Sequence, residues 1–247
     1  MYRGYYISAN GMLNQQRILN VITNNMANTQ TAGYKTDNSI PTTFEEELLL
    51  IQGKQSEEGE ILYRTQEATY TDLEQGTFEF TDSRLDMALQ GPVYFNLQDY
   101  DDGETYLTRN GQFSIDAEGY LALGSSGRIL SEEGAIQLGT ADFTVSEDGV
   151  ITTDDGRQFN LLLSYVEEAS DVEKVGDNLF VPYEDAEAVG ADVNYKVMQY
   201  AYERSNVSVA DEMIKAMAAS RAFQSGSQVL KIIDEINRRS ANDLARI

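Results

Sequence analysis

The two ends of this chain resemble each other in composition and differ from everything between them. Residues 1–36 hold three basic residues and no acidic ones, so they carry +3, while seven bases against six acids give residues 203–247 a charge of +1. The middle, residues 37–202, holds eight bases against 35 acids and carries −27. Both ends space their apolar residues at a helical period, whereas the middle alternates apolar with polar residues between glycine turns. We therefore expect a helical part built from the two ends and a β part built from the middle.

The N-terminal segment has the pattern of one long amphipathic helix, from Gly4 to about Asn28. The side opposite its apolar stripe is rich in amides, among them Asn24 and Asn25, and is nearly free of charge. Because burying a lone charge is costly, a face of uncharged amides favours a helix that is packed on two sides. An ordinary surface helix with an unusual polar face is the alternative. The apolar stripe follows helical spacing: Tyr5, Met12, Leu19, Ile22 and Met26.

A second helix is predicted after Ser208, a suitable N-cap residue that is followed by Asp211 and Glu212, whose charges favour a helix start. Small and apolar residues then recur at alternating spacings of three and four, which is the pattern of a coiled-coil seam. The seam positions are Ala216, Ala219, Phe223, Gly226, Leu230, Ile233, Asn237, Ser240, Leu244 and Ile247.

Either terminal helix alone is marginal in water, because its stability depends on burial of its apolar face. We expect the two helices to pair with each other and with neighbouring subunits. Pairing within one chain only, as a self-contained two-helix stalk, is the alternative.

The middle of the chain has the signals of a small antiparallel barrel or sandwich. Short two-residue turns separate segments that alternate aromatic or β-branched residues with polar ones, which predicts hairpins. Residues 159–166, FNLLLSYV, form the most apolar of these segments and are predicted to be the central strand. Residues 37–60 have the composition of an extended acidic connector. The predicted turns are Asp102-Gly103, Asn110-Gly111, Glu118-Gly119, Gly124 to Gly127, Asp148-Gly149 and Asp155-Gly156.

Together these patterns predict an α+β fold, in which N- and C-terminal helices pair as an α-helical stalk and an antiparallel all-β domain is inserted between them. The predicted segments are residues 1–36 as the N-terminal helix of the core, 37–80 as an extended connector, 81–190 as the β domain, 191–204 as a return connector and 205–247 as the C-terminal helix.

Composition excludes several classes of function. The chain has no cysteine and no histidine, so disulfides, thiolate metal sites and catalytic triads built on histidine are not available to it. A net charge of −23 argues against nucleic acid and against anionic lipid as partners. No apolar run approaches the roughly 20 residues that a membrane helix needs. We expect a non-enzymatic protein without cofactor or metal and without membrane insertion.

The N-terminal sequence lacks the apolar segment of a cleavable signal peptide, because polar residues interrupt it. We therefore expect a protein that stays in the cytoplasm or is exported without signal cleavage.

Some charged residues invite a more specific interpretation. The acidic turn at residues 99–104 has the composition of a calcium loop, but Arg109 stands where an EF-hand requires glutamate, so a solvated hairpin turn is favoured. We expect Arg84 with Asp86, and Arg109 with acidic turns, to form surface ion pairs worth well under ~1 kcal/mol each.

Four segments of the sequence resemble one family, and they occur in the same order along the chain. Residues 24–35, NNMANTQTAGYK, are similar to the Asn-rich motif that follows the first helix in flagellar rod and hook proteins. Residues 76–95, GTFEFTDSRLDMALQGPVYF, and residues 105–121, TYLTRNGQFSIDAEGYL, resemble two further motifs of these proteins. Residues 204–230, RSNVSVADEMIKAMAASRAFQSGSQVL, resemble the start of their shared C-terminal helix.

This resemblance implies an axial protein of the bacterial flagellum, most similar to the proximal or distal rod subunits of the basal body. Such proteins leave the cell through the flagellar type III export apparatus without signal cleavage. They polymerise with their terminal helices lining a tube and the β domain outside, so the implied partners are copies of the chain and other rod and hook axial proteins. The middle is short for a hook protein, which favours the rod over a hook-type axial protein.

The helices and motifs define a predicted subunit interface. Asn24, Asn25 and Asn28 are expected to cap helix ends and to bridge subunits, and Gly33 to adopt a positive φ where the chain leaves the helix. A simple helix cap with no further role is the alternative. The predicted interface residues are Tyr5, Met12, Leu19, Ile22, Asn24, Asn25, Met26, Asn28, Gly33, Tyr34, Lys35, Ser205, Asn206, Val207, Met213, Ala216, Phe223, Leu230 and Ile233.

A different class of function competes with the rod subunit. A soluble acidic binding module, for example for cell-wall glycan, would use the helical ends only to oligomerise. An enzyme would need a cleft that holds a carboxylate of raised pKa.

Overall fold

The computed structural model describes residues 2–43, 65–100, 102–166, 172–176, 178–182 and 193–244. The chain divides into two compact units. The first, here called the helical unit, comprises Met1–Ala27, Asp37–Tyr70 and Ser208–Ile247. The second, the β unit, comprises Asn28–Thr36 and Thr71–Val207. The structure therefore has the predicted α+β composition, with a helix near each end and a large antiparallel β region in the middle.

Two helices dominate the helical unit, α1 over Tyr2–Ala27 and α2 over Val209–Leu244. Both lie where the helical spacing of apolar residues predicts them. The start of α2 is also as predicted, because the Ser208 hydroxyl accepts a hydrogen bond from the Asp211 backbone N–H at 3.4 Å. Asp211 and Glu212 lie in the first turn, where their charges complement the helix dipole.

The predicted acidic connector is described only in part. Residues Asp37–Thr43 form strand β1, which pairs with strand β2, Thr65–Thr71, in a two-stranded sheet. Residues 44–64 of the predicted connector lie outside the described residues.

The strands of the β unit are short and follow one another closely. They are β3 Phe78–Phe80, β4 Met87–Gln90, β5 Val93–Asp99, β6 Thr105–Thr108, β7 Ser114–Ile115, β8 Leu121–Leu123, β9 Gly127–Ser131, β10 Gly134–Ala135, β11 Phe143–Val145, β12 Val150–Thr153, β13 Gln158–Asn160, β14 Leu163–Tyr165, β15 Val172–Gly176, β16 Leu179–Pro182, β17 Lys196–Gln199 and β18 Ala201–Glu203.

One large antiparallel sheet organises the β unit. Its strand order is β15-β16-β6-β5-β9-β8-β7, with β10 paired to β9 and β14 paired to β5. Strands β11, β12 and β13 form a separate three-stranded sheet. Two further pairs, β17 with β4 and β18 with β3, join strands close to the end of the β unit to strands near its beginning.

The central strand is β5, and the prediction that residues 159–166 are central is wrong. Strand β5 pairs with β6, β9 and β14, and five successive residues, Val93–Leu97, are buried. Alternate residues of β5 enter different clusters, since Val93 and Phe95 lie in the main hydrophobic core and Tyr94 lies in a second one. Residues 159–166 are instead divided between β13 and β14, because the Leu161 and Leu162 backbone N–H groups donate to Gly149 and Leu130.

Most of the predicted turns join consecutive antiparallel strands. Asp102-Gly103, for example, lies between β5 and β6, and Asp155-Gly156 lies between β12 and β13. The Asn110-Gly111 turn does not close a hairpin, because β6 pairs with β5 and β16 while β7 pairs with β8. Gly111 instead packs on the backbone of Met87, and its carbonyl accepts the Met87 N–H at 2.9 Å.

Candidate functional site

Helices α1 and α2 run antiparallel in the helical unit. The Asn25 amide donates to a Glu212 carboxylate oxygen at 3.3 Å. Towards the other end of the pair, a Cβ placed on Gly226 would lie 2.8 Å from Met12 Cγ. Residue numbers in α1 therefore fall as those in α2 rise. The missing side chain at Gly226 allows the two helices to approach closely there.

The predicted seam of α2 lies on the less exposed side of this helix. Seam positions beyond residue 237 lie outside the residues whose side chains the structure describes. The buried or half-buried seam residues are Ala216, Ala219, Phe223, Gly226, Leu230, Ile233 and Asn237.

The predicted stripe of α1 is mostly, but not entirely, turned away from solvent. Ile22 is buried, and Met12, Leu19 and Met26 are half-buried. Tyr5 differs, because its side chain is 50% exposed. Tyr5 is therefore available to a partner outside the chain, whereas the other four pack within the helical unit.

Asn25 has a structural role that its amide chemistry explains. Its side chain is buried, donates to the Asp37 carbonyl at 2.8 Å and accepts the Asp37 N–H at 3.1 Å. With its bond to Glu212, it connects α1, β1 and α2. Asn24 is exposed on α1, and the Asn28 side chain accepts a hydrogen bond from the Thr31 hydroxyl at 3.1 Å.

Both helices also carry apolar residues on their exposed sides. Most of the exposed large apolar side chains in the described chain belong to these two helices, with Tyr6 63% and Ile214 61% exposed. Ile232, which is not among the interface residues predicted from the sequence, is one of these exposed residues. We call this set the outer apolar surface: Tyr5, Tyr6, Ile7, Leu13, Val209, Met213, Ile214, Met217, Val229, Ile232 and Ile236.

An open groove lies between the two helices, next to part of this surface. Its lining mixes small, apolar and polar side chains: Leu19, Ala216, Met217, Ser220, Arg221 and Gln224.

The β unit contains a buried ion cluster that joins distant parts of the chain. The Glu203 side chain is only 1% exposed. One of its carboxylate oxygens accepts a hydrogen bond from Lys35 Nζ at 2.6 Å, and the other accepts one from Arg109 Nη1 at 3.2 Å. The Gly76 backbone N–H donates to the same carboxylate at 2.8 Å. Lys35 and Arg109 are themselves buried, so one anion serves two cations in a place that water does not reach.

Burial dominates the electrostatics of this cluster. Desolvation lowers the pKa of Lys35 below its usual 10.5, against the attraction of Glu203, which raises it. Backbone carbonyls also accept from the two cations, since Lys35 donates to the Glu74 carbonyl at 2.8 Å and Arg109 donates to the Leu89 carbonyl at 3.0 Å. Removing Glu203 would leave two buried cations without an anion, and leaving a buried charge unpaired typically costs about 3–5 kcal/mol.

Arg109 was expected in a surface pair, and that prediction is wrong. Its side chain is 3% exposed, contacts Glu203 and lies over the Tyr94 ring at 4.7 Å. Arg84 also has a different partner from the predicted Asp86, because it pairs with Asp142 at 2.6 Å on the surface. Both partners are far from the arginines in the sequence, so local charge patterns do not indicate them.

Asn206 ties the two places where the chain enters and leaves the β unit. Its side-chain oxygen accepts the backbone N–H of Thr36 at 2.8 Å and the Thr36 hydroxyl at 2.6 Å. Its amide group donates to the carbonyls of Asp72 and Glu74. Beside it, the Ser205 hydroxyl accepts the Val207 N–H at 3.3 Å. Asn206 therefore acts within the β unit.

Gly33 adopts the predicted positive φ, at 67°. Its N–H donates to the Glu203 carbonyl at 2.7 Å, and a Cβ there would lie 2.4 Å from the Arg109 backbone. Tyr34 is buried, and Lys174 Nζ lies 4.0 Å from the centre of its ring. Gly33, Tyr34 and Lys35 thus pack against their own β unit.

Glu203 and Arg109 are not among the interface residues predicted from the sequence. Glu203 has one local signal, because it occupies a strand position two residues after the buried Ala201, where alternation predicts an inward side chain. Within the described residues, no cluster of three or more potential metal-ligating side chains is present, and none of the helices is long and apolar enough to cross a membrane.

Three family models match this chain in order. A model described as flagella basal body rod protein matches residues 6–35, in α1 and the turn after it. The flagellar hook protein FlgE/F/G D1 domain matches residues 88–153, in the β unit. The flagellar basal body rod FlgEFG protein C-terminal model matches residues 198–244, which include α2.

Relatives match this chain along nearly its whole length. The flagellar basal-body rod protein FlgG of Buchnera aphidicola subsp. Schizaphis graminum is 29% identical, across 96% of this chain and 97% of its own length. FlgG of Borreliella burgdorferi is 28% identical, and FlgF of Caulobacter vibrioides is 24% identical, each over 100% of both chains. With family matches in both helices and in the β unit, this chain belongs to the flagellar basal-body rod protein family.

Proposed function

We propose that this chain is a structural subunit of the flagellar basal-body rod and that it polymerises through α1 and α2 into the axial shaft. Its relatives are named as basal-body rod proteins over their full length, which supports this role and a location in the basal body. Copies of the chain and other rod and hook axial proteins are the proposed partners, and the flagellar type III export apparatus is the proposed exit route. The work is mechanical, so no catalytic residue is assigned.

The observation that carries this proposal is the outer apolar surface. Many large apolar side chains exposed on the same pair of helices favour a surface that binds another protein. Burial of each large side chain contributes roughly 1.5–3 kcal/mol, so a few of them suffice to hold neighbouring subunits. We propose that the seam pairs α1 with α2 as a stalk, while Tyr5, Met213 and the rest of the outer apolar surface contact neighbours.

The charge distribution supports the same arrangement. The terminal segments carry +3 and +1, so many copies of them can be packed together with little repulsion. The middle carries −27, and such charge is tolerated best where solvent and ions screen it. We propose that the helices form the inner wall of the polymer and the β unit the outer layer, with the five predicted segments as the domain plan.

The predicted interface residues divide into two groups under this proposal. Gly33, Tyr34, Lys35 and Asn206 keep the ends of the β unit in place and act on assembly indirectly. Residues on the helices act directly, through the stalk or through the outer apolar surface. The remaining interface assignments stay predictions.

Replacing Ile232 with Asp tests the outer apolar surface. Ile232 is 57% exposed, so the charge should leave the helix pair intact while opposing its burial against a neighbour. We expect the far-ultraviolet circular dichroism of the purified chain to be unchanged. Incorporation into basal bodies and swimming should be lost.

Val175 provides a matched control, because it is an apolar residue of the β unit that is 60% exposed. Val175→Asp should leave rods and swimming normal. Normal rods in Ile232→Asp cells would contradict the proposal that the outer apolar surface contacts neighbouring subunits. Such a result would favour a soluble binding module. Retention of the protein on purified peptidoglycan would then identify a cell-wall glycan as its ligand.

A further inference from the structure

The ion cluster of the β unit is assembled from parts of the chain that are far apart in sequence. Lys35 and Glu203 are separated by 168 residues, and Arg109 and Glu203 by 94. Glu203 is the final residue of β18, the last strand of the β unit. A chain delivered N-terminus first therefore presents both cations before their anion.

The two cations depend on Glu203 more than on any other group. Besides Glu203, Lys35 donates to the Glu74 carbonyl and Arg109 donates to the carbonyls of Leu89 and Gly91. Neutral carbonyls do not cancel a buried positive charge. Asp72 also attracts Lys35, but it is only partly buried and its effect is smaller than that of Glu203.

Glu203 also fixes the backbone around the cluster. Its carbonyl accepts the Gly33 N–H, its carboxylate accepts the Gly76 N–H, and its strand pairs with β3. Closing the β unit around Lys35 and Arg109 without Glu203 would leave two buried cations and open backbone groups. The open chain keeps these groups in water, where they have no such cost.

We propose that Glu203 is an electrostatic gate for folding, so that the β unit closes only after this residue joins Lys35 and Arg109. The gate does not depend on the proposed function, since it applies to any delivery from the N-terminus. For a chain that is exported before it assembles, it would keep the β unit open until β18 has passed. The cluster thus determines when the β unit closes, in addition to stabilising the closed unit.

The gate predicts an asymmetry in the rate of folding, whereas contacts that form only after closure would change the rate of unfolding. Lys35→Met leaves Arg109 and Glu203 as a one-to-one pair, whereas Glu203→Gln leaves two unpaired cations in a side chain of nearly the same shape. Refolding of the full chain from urea should be at least tenfold slower for Glu203→Gln and within about threefold of wild type for Lys35→Met. Pulsed hydrogen exchange read on the β5 peptide would report on the β unit alone.

The double variant Lys35→Met/Glu203→Gln separates charge from shape. Because it removes one of the unpaired cations, it should refold faster than Glu203→Gln, and this comparison holds even if the single variant fails to protect β5. Refolding of Glu203→Gln at the wild-type rate would overturn the gate, since the contacts would then form after closure. A double variant no faster than Glu203→Gln would overturn it as well.

Discussion

At the scale of residues, the family motifs of the β unit meet in one buried place. Gly33, Lys35, Arg109 and Asn206 come from three of the motifs, and Glu203 directly precedes the last of them. Hydrogen bonds and ion pairs connect them through Glu203 and Thr36. These residues make contacts within the chain. The motifs therefore identify the fold of a rod protein and do not by themselves indicate which residues contact other subunits.

Replacing Gly33 with Ala should destabilise the β unit by roughly 2–4 kcal/mol in urea unfolding. The new Cβ would lie 2.4 Å from the Arg109 backbone, in addition to the strain of a φ of 67°. Gly103→Ala is the matched control, because Gly103 has a φ of 73° and open space around its Cβ. It should cost about 1–2 kcal/mol. Equal losses in both variants would show that close packing at Gly33 does not matter.

We expect the Tyr106 hydroxyl to lose its proton at a higher pH than an ordinary tyrosine. Its hydroxyl donates to the Asp102 carboxylate at 2.8 Å, and this bond raises the pKa of Tyr106 from 10.0 to about 12. The stabilising effect is therefore complete below pH 10 and is lost as the pH rises through about 12. Ultraviolet titration of tyrosinate, with Tyr106→Phe subtracted, should show the pKa falling towards 10 in Asp102→Asn. Superimposable curves for the wild type and Asp102→Asn would refute the bond.

The partners of these residues could not be predicted from sequence. Arg109 stands beside acidic turns in the sequence, but its charge partner is 94 residues away. The positive φ of Gly33 was predictable, because a chain that leaves a helix sharply often needs glycine. Local sequence predicts local backbone geometry, whereas burial of a charge depends on which distant strand packs beside it.

At the scale of elements, the helices were predictable and the strand order was not. Helical spacing persists over many residues, so α1 and α2 lie close to their predicted positions and the α2 seam faces inward. The strands are only two to seven residues long, and apolar content alone selected residues 159–166 over β5. Strand β5 is central because both of its faces are buried, which depends on the packing of the whole β unit.

Phe223→Asp should break the helix pair and prevent assembly. Phe223 is half-buried in the seam, and its replacement removes a large apolar contact and adds a charge on the side of α2 that packs with α1. We expect a loss of about 3–5 kcal/mol in helical stability and no rods. The neighbouring exposed residue gives the control, since Gln224→Asp should keep both. Normal rods and motility in Phe223→Asp cells would defeat the seam assignment.

At the scale of the whole molecule, the helical unit and the β unit differ in the side chains that they expose. The helical unit carries the outer apolar surface, and the β unit carries most of the acidic residues and a core closed by its own buried ion cluster. Charge asymmetry and the two helices were visible in the sequence, and the resemblance of four motifs indicated the family. The outer apolar surface could not be predicted from the sequence. A helix with apolar residues on two sides does not indicate which side packs against the other helix of the same chain.

The most direct test of the rod assignment is quantitative mass spectrometry of hook–basal bodies purified from the native organism, with the hook protein as the internal reference. We predict that the chain is present in a fixed ratio to the hook protein in every preparation and that Ile232→Asp removes it. Its absence from basal bodies that contain abundant hook protein would contradict the rod assignment.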